Sequence, residues 1–240
     1  MMKLRLIYFF GIMSLTIFLV YFSHKRNSQS GIIQINIDFN QNKTKFLDKN
    51  MVNKLLIQRN DTAFFLKEDT LDLKVTEDLL NANPMVASAD IFRTPQGLLN
   101  VKINERKPIF RVINEQEEFY IDNFGKRVPL SKKYTARVPI FYGKIENNSV
   151  ELVNFIKLIL RDPFTKIEII DFKQLNNSYI LGLRSFPFKI IWGENSKYKE
   201  KLKKLKYLYM YLGKRDSLRI NKVDLTFDKQ IVLDYGQSGK

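Results

Sequence analysis

The chain is predicted to be α+β: an apolar N-terminal transmembrane helix, a β-α-α-β-β domain, then a mixed α/β-strand-rich second domain ending in antiparallel strands. Three observations predict this. Residues 6–22 carry no charge, residues 71–108 read as a short helix, a Pro-marked break and two strands, and short alternating runs recur between 109 and 235. The expected divisions are a tail at 1–3, an anchor at 4–22, a linker at 23–31, a first domain at 32–112, a second at 113–236 and a polar tail at 237–240.

Leu4 and a snorkelling Arg5 extend the uncharged run to about the ~20 residues needed to cross a bilayer. A cleaved export signal requires small residues at its cut site. Tyr21-Phe22-Ser23-His24-Lys25-Arg26 is bulky and basic, so an uncleaved anchor in the lipid bilayer is expected. Lys3 and Arg5 balance Lys25 and Arg26, and flanking charge leaves orientation open. The shortness of the tail favours a cytoplasmic amino terminus and an exported bulk. His24, the only histidine, is read as an interfacial residue.

In the first domain, 32–39 alternates like a strand and 48–58 has helical spacing. Asp72 or Thr76 suits a helix start, with Glu77 and Asp78 in a first turn that favours negative charge. Asn83-Pro84 ends that helix near Ala82. Ala87, Ala89 and Ile91 then share one strand face. After the turn at 94–97, Leu99, Val101 and Ile103 share another, opposite Asn100, Lys102 and Asn104.

In the second domain, strands are expected at 109–113 and 119–129, with Asn123 to Gly125 at the reversal. Asp122 is read as a carboxylate holding that turn. A strand at 137–142 follows, closed by Gly143. Asn148 and Glu151 form a capping-box pattern before Leu152, Phe155, Ile156, Ile159 and Leu160, and Asp162-Pro163 ends that helix. Strands are expected at 166–172, 179–184 and 186–192, the last with Phe186, Phe188, Ile190 and Trp192 on one face. Residues 194–219 hold nine Lys or Arg against three acids. Tyr198, Leu202, Leu205, Tyr209 and Leu212 form a stripe expected to pack on the sheet rather than on an anionic membrane, with Gly213 as C-cap. Residues 220–227 alternate, Asp228-Lys229 turns, and 230–235 is the last strand.

Forty Lys and Arg against twenty-five Asp and Glu give +15. The excess is scattered lysine, without the aromatic and glycine pattern of an RNA-binding sheet or zinc-ligand spacing, so nucleic acid is not an expected partner. With no cysteine, disulfides and thiol catalysis are excluded. Ser196-x-x-Lys199 fits a Ser–Lys peptidase motif, but no K-T-G accompanies it and Ser196 stands where a helix N-cap is expected. Neither a cofactor, a metal site, a catalytic residue nor a small-molecule substrate is expected.

Asn83-Pro84-x-Val86, Ala89, and Gly97-Leu98-x-x-Val101-x-Ile103-x-Glu105-Arg106-x-Pro108 resemble the ending of a polypeptide-transport-associated (POTRA) domain, as found in the bacterial division family FtsQ/DivIB. Tyr120-Ile121-Asp122-x-x-Gly125-x-x-x-Pro129 and Ile220-x-x-Val223-Asp224-Leu225-x-Phe227 extend the resemblance over nearly the whole chain. It implies a non-enzymatic scaffold of the division septum, held in the inner membrane and working in the periplasm with FtsB-like and FtsL-like partners. By position, the family's partner-binding aromatics fall on Phe227 and Tyr235. A terminal strand with one unpaired edge suits addition of a partner strand, which makes Thr226, Phe227, Ile231, Val232, Leu233 and Tyr235 the expected site. Strict alternation instead turns Phe227 inward with Val223 and Leu225. The amino-terminal tail is shorter than in many members, and Thr226 stands where a basic residue could meet a partner acid. The alternative function is a POTRA chaperone of outer-membrane protein assembly, and an anchored peptidase is the third.

Overall fold

The computed structural model describes residues 2–27, 34–40, 46–58, 72–145, 149–212 and 219–236. It divides into two compact units, Met1–Arg106 and Lys107–Lys240. The division falls earlier than the expected 112/113 boundary because residues 108–113 pair with strands of the second unit. The 23–31 linker lies partly, and the 237–240 tail wholly, outside the described residues, as do Asn148 and Gly213.

The first unit opens with helix α1 (Met2–Asn27), whose apolar residues surround the axis instead of forming one stripe. Its side chains are described over residues 8–23 and are exposed throughout. Among the described residues no helix is long and apolar enough to cross a membrane. The expected span over 4–22 therefore has no support from the structure.

Then follow β1 (Gln34–Phe39), α2 (Lys49–Gln58), α3 (Leu73–Asn81), β2 (Val86–Arg93) and β3 (Leu98–Glu105), the expected β-α-α-β-β order. The sheet order is β1-β3-β2, with β3 parallel to β1 and antiparallel to β2. Asp72 is the N-cap of α3, accepting from the amides of Lys74 and Val75 at 2.9 and 3.2 Å. Glu77 and Asp78 fall beyond the first turn, a correction to their expected place. Ala87 is exposed, against expectation. A bulge between Val86 and Ser88 shifts the register, so Val86 takes the buried place and Ala89 and Ile91 follow in phase.

The second unit contains β4 (Pro108–Ile113), β5 (Glu118–Asp122), β6 (Arg127–Val128), β7 (Ile140–Tyr142), α4 (Ser149–Arg161), α5 (Pro163–Glu168), β8 (Ile169–Leu175), β9 (Ser178–Leu183), β10 (Lys189–Gly193), α6 (Tyr198–Tyr211), β11 (Ile220–Asp224) and β12 (Val232–Tyr235). These strands form one sheet, β12-β11-β10-β9-β8-β7-β4-β5-β6. Parallel neighbours need a crossover of a dozen or more residues. α4 with α5 carries β7 to β8, and α6 carries β10 to β11.

Residues 166–168, expected in a strand, are helical. Asp162 caps α5 through the amides of Phe164 and Thr165 at 3.0 and 3.2 Å, and Pro163 begins a new helix after ending the previous one. Phe188, Ile190 and Trp192 are buried as expected, Phe186 half-buried, and Trp192 meets Phe155 and Tyr198 at ring-centroid distances of 6.3 and 5.7 Å. Asp122 is buried and accepts from Phe124 N and Lys126 N at 2.9 and 2.8 Å, the turn-holding role read for it. Gly125 supplies the positive φ there, 78°.

The α6 stripe packs into this core, as expected, but in a different phase. Lys201, Leu205, Leu208 and Leu212 are buried, while Leu202 and Tyr209 are half-buried at its margin. Tyr198 Oη donates to Leu158 O and Tyr209 Oη to Glu168 Oε2, both at 2.8 Å, tying α6 to α4 and α5. Burial and the Glu168 carboxylate push the Tyr209 phenol well above its ordinary pKa. Burial works to raise the Asp162 carboxyl, but the Lys206 ammonium 2.7 Å away and the two cap amides hold it below its usual value.

Candidate functional site

β11 lies parallel to β10, and Leu225 N continues the pairing by donating to Ile191 O at 3.0 Å. Ile220, Val223 and Leu225 point into the core. The alternation ends at Asp224, whose Oδ1 accepts from Thr226 N at 2.8 Å and from Thr226 Oγ1 at 2.6 Å. This side-chain turn breaks the strand, so Phe227 is 46% exposed and does not follow Val223 and Leu225 inward. The inward alternative for Phe227 is thereby corrected.

Two lysines of the α6 segment hold the turn that follows. Lys197 Nζ meets Asp228 Oδ1 at 2.6 Å. Lys204 Nζ donates to the carbonyls of Leu225, at 3.3 Å, and Phe227. Hydrogen bonding to Lys197 holds the Asp228 carboxyl below its ordinary pKa, and the same bond holds the Lys197 ammonium above its own. Lys229 adopts a positive φ of 59°, reversing the chain into β12.

β12 pairs antiparallel with β11 and ends the sheet. Among the described residues β11 is its one strand neighbour, and its outer backbone groups face away from the sheet. Ile231 and Leu233 are half-buried against the core, whereas Val232 is exposed and Tyr235 is 57% exposed. The structure thus brings Thr226, Phe227, Ile231, Val232, Leu233 and Tyr235 to one end of one sheet. Ile231 and Leu233 lean inward, and Thr226, Phe227, Val232 and Tyr235 offer side-chain surface.

Ser196 does not cap α6. The N-cap is Lys197, in a left-handed conformation with φ 51° and without a side-chain cap bond. Nor do the lysines of this helix all lie on its outer face. Lys201 is buried, with Nζ donating to Glu194 O at 2.7 Å and standing 6.0 Å from the Trp192 ring centre. Its place was legible, since 198, 201, 205, 208 and 212 form a regular three-four spacing once a lysine is admitted to the stripe. Among the described residues no group of three or more His, Asp or Glu is set to hold a metal ion.

A family model described as FtsQ/DivIB, C-terminal related, matches residues 107–233, from the start of β4 into β12. No curated protein matches the chain.

Proposed function

Because the chain belongs to the FtsQ/DivIB family, we propose that its cell-division role is that of a non-enzymatic scaffold at the septum, capturing FtsB-like and FtsL-like partners by addition of a partner strand to β12. The observation that carries this reading is the terminal strand, with a single strand neighbour among the described residues and exposed Val232 and Tyr235 beside exposed Phe227. Backbone pairing supplies affinity in such additions, and alternate side chains supply specificity. Partner capture links assembly of the division complex to septal wall synthesis. The test is co-purification of the FtsB-like protein with a chain truncated at Asp228: capture is lost while the remaining second unit stays folded. Capture that survives a folded truncation overturns the site.

In this reading residues 4–22 tether the chain to the inner membrane with the amino terminus in the cytoplasm and the bulk of the chain after the tether in the periplasm. Support comes from the uncharged run at 6–22 and the bulky basic flank after it. The chain contains no cysteine, so single introduced thiols report topology cleanly. A membrane-impermeant maleimide labels Ser238→Cys in spheroplasts and leaves Lys3→Cys unlabelled; the opposite pattern inverts the orientation. A fluorescent fusion is expected to collect at the septum, and a peripheral distribution favours the outer-membrane assembly function.

A further inference from the structure

A second candidate surface lies where α6 begins, sharing Thr226 with the residues at the β12 edge. A cavity there is lined by Asn177, Ser178, Gly193, Ser196, Lys201 and Thr226. Its chemistry is set by Lys201, which is only 5% exposed. A buried ammonium ordinarily has a carboxylate beside it, because an uncompensated charge in low dielectric is costly. Lys201 has one backbone carbonyl and the face of one indole; the Glu194 and Asp224 carboxylates favour its charged form from further away, but among the described residues no carboxylate stands within ion-pair distance of its Nζ.

The other charged groups at the cavity are already engaged. Lys197 is paired with Asp228, and the Glu194 carboxylate at the rim accepts from Asn177 Nδ2 at 3.2 Å. The Ser178 and Ser196 hydroxyls line the same space. Gly193 has a φ of 74°, and a Cβ there would come within 2.6 Å of Thr226 Cγ2 and 3.7 Å of Lys201 Nζ. A side chain at that position would crowd the lysine's approach.

We propose that this cavity is a carboxylate-binding site in which the ligand's carboxylate supplies the ion-pair partner that the Lys201 ammonium lacks. A carboxylate matches the compact ammonium with a charge-assisted hydrogen bond, and its second oxygen can accept from a lining hydroxyl. Burial, which lowers the Lys201 pKa, is the desolvation that such a ligand offsets. The site does not depend on strand addition at β12, which is tested separately by the truncation at Asp228.

The test uses the full chain in nanodiscs at pH 7 with lysine side chains labelled with ¹³C at Cε, the Lys201 signal being assigned by its loss in Lys201→Arg. Sodium acetate is expected to shift that signal saturably, with half-saturation on the order of millimolar, while the exposed Lys203 signal moves little. The Gly193 amide signal follows the same curve, and in Lys201→Met it requires at least about tenfold more acetate. A response absent at any acetate concentration, or reproduced by chloride, overturns the site; the second result marks an adventitious ion only. If Lys201→Met does not fold, the wild-type titration decides alone. A short Glu-containing peptide and its Gln counterpart separate the sources. Saturation by the Glu peptide below the acetate range assigns a protein side chain, and the reverse assigns a small free acid.

Discussion

At one end of the nine-stranded sheet β6 is two residues long, while at the other end β12 has four. On β6, Arg127 is paired with Glu117 at 3.0 Å and lies over the Phe119 ring at 4.2 Å, and Val128 is buried. Pro129 follows directly and has no N–H to offer. Shortness, charge and proline are the ordinary ways of blunting an edge. On β12, Val232 and Tyr235 are exposed, Phe227 stands beside them, and one modest pair, Lys222 with Asp234 at 3.6 Å, crosses to β11. The comparison teaches that one end of the sheet carries the features that blunt an edge, while the other leaves apolar side chains exposed beside its last strand.

The largest effect tests whether the β12 end is surface rather than core. Leu225→Ala is expected to cost about 2–5 kcal/mol in chemical denaturation because the side chain is fully buried. Phe227→Ala, two residues on, stays within about 0.5 kcal/mol. Equal losses would erase the distinction between them. Next comes the edge itself. Val232→Lys with Tyr235→Lys is expected to weaken capture of the FtsB-like partner about a hundredfold by titration while leaving thermal melting almost unchanged. Undiminished affinity would mean that both ends are equally inert.

At the β6 end, Asp122→Ala removes the acceptor of two turn amides and is expected to cost about 1–2 kcal/mol. Partner affinity stays unchanged, whereas a loss of capture there would make β6 part of the site. A pH effect is expected at the β12 end. The Asp228 carboxyl is held below its ordinary value of 3.8 by Lys197, so its stabilisation of the turn is present above that value. It is lost as pH falls through the depressed pKa. Amide exchange at 226–230, corrected for intrinsic rates, accelerates across that window, and Asp228→Asn abolishes the step. The smallest effect is expected from Arg127→Ala, within about 0.5 kcal/mol for an exposed pair.

Much of this organisation was legible from local pattern. The β-α-α-β-β order, the Asp122 turn and the buried face of Phe188, Ile190 and Trp192 follow from turn chemistry and strict periodicity, which act over a few residues. The misread points are those where a neighbour distant in the chain decided the outcome. Residues 166–168 carry strand-like composition, yet the Asp162 cap and the Lys206 partner from α6 favour one more helical segment. Ala87 was displaced by a bulge that exists only in the pairing with β3. In the candidate site, the exposure of Phe227 was undecidable from alternation because one carboxylate, Asp224, ends the strand by bonding Thr226.

By itself the sequence determined most of the helices and strands and which family the chain resembles, because capping, proline and apolar spacing are properties of neighbouring residues. Residues 166–168 nevertheless proved helical, and the strands expected at 137–142 and 186–192 begin only at Ile140 and Lys189. Only the tertiary structure decided that the last strand is a sheet end and the penultimate one pairs parallel with β10. It also decided that Lys201, whose place on the buried stripe the spacing already allowed, has no carboxylate within ion-pair distance among the described residues. Strand order and the surroundings of a side chain depend on contacts between distant segments, and no local periodicity encodes them.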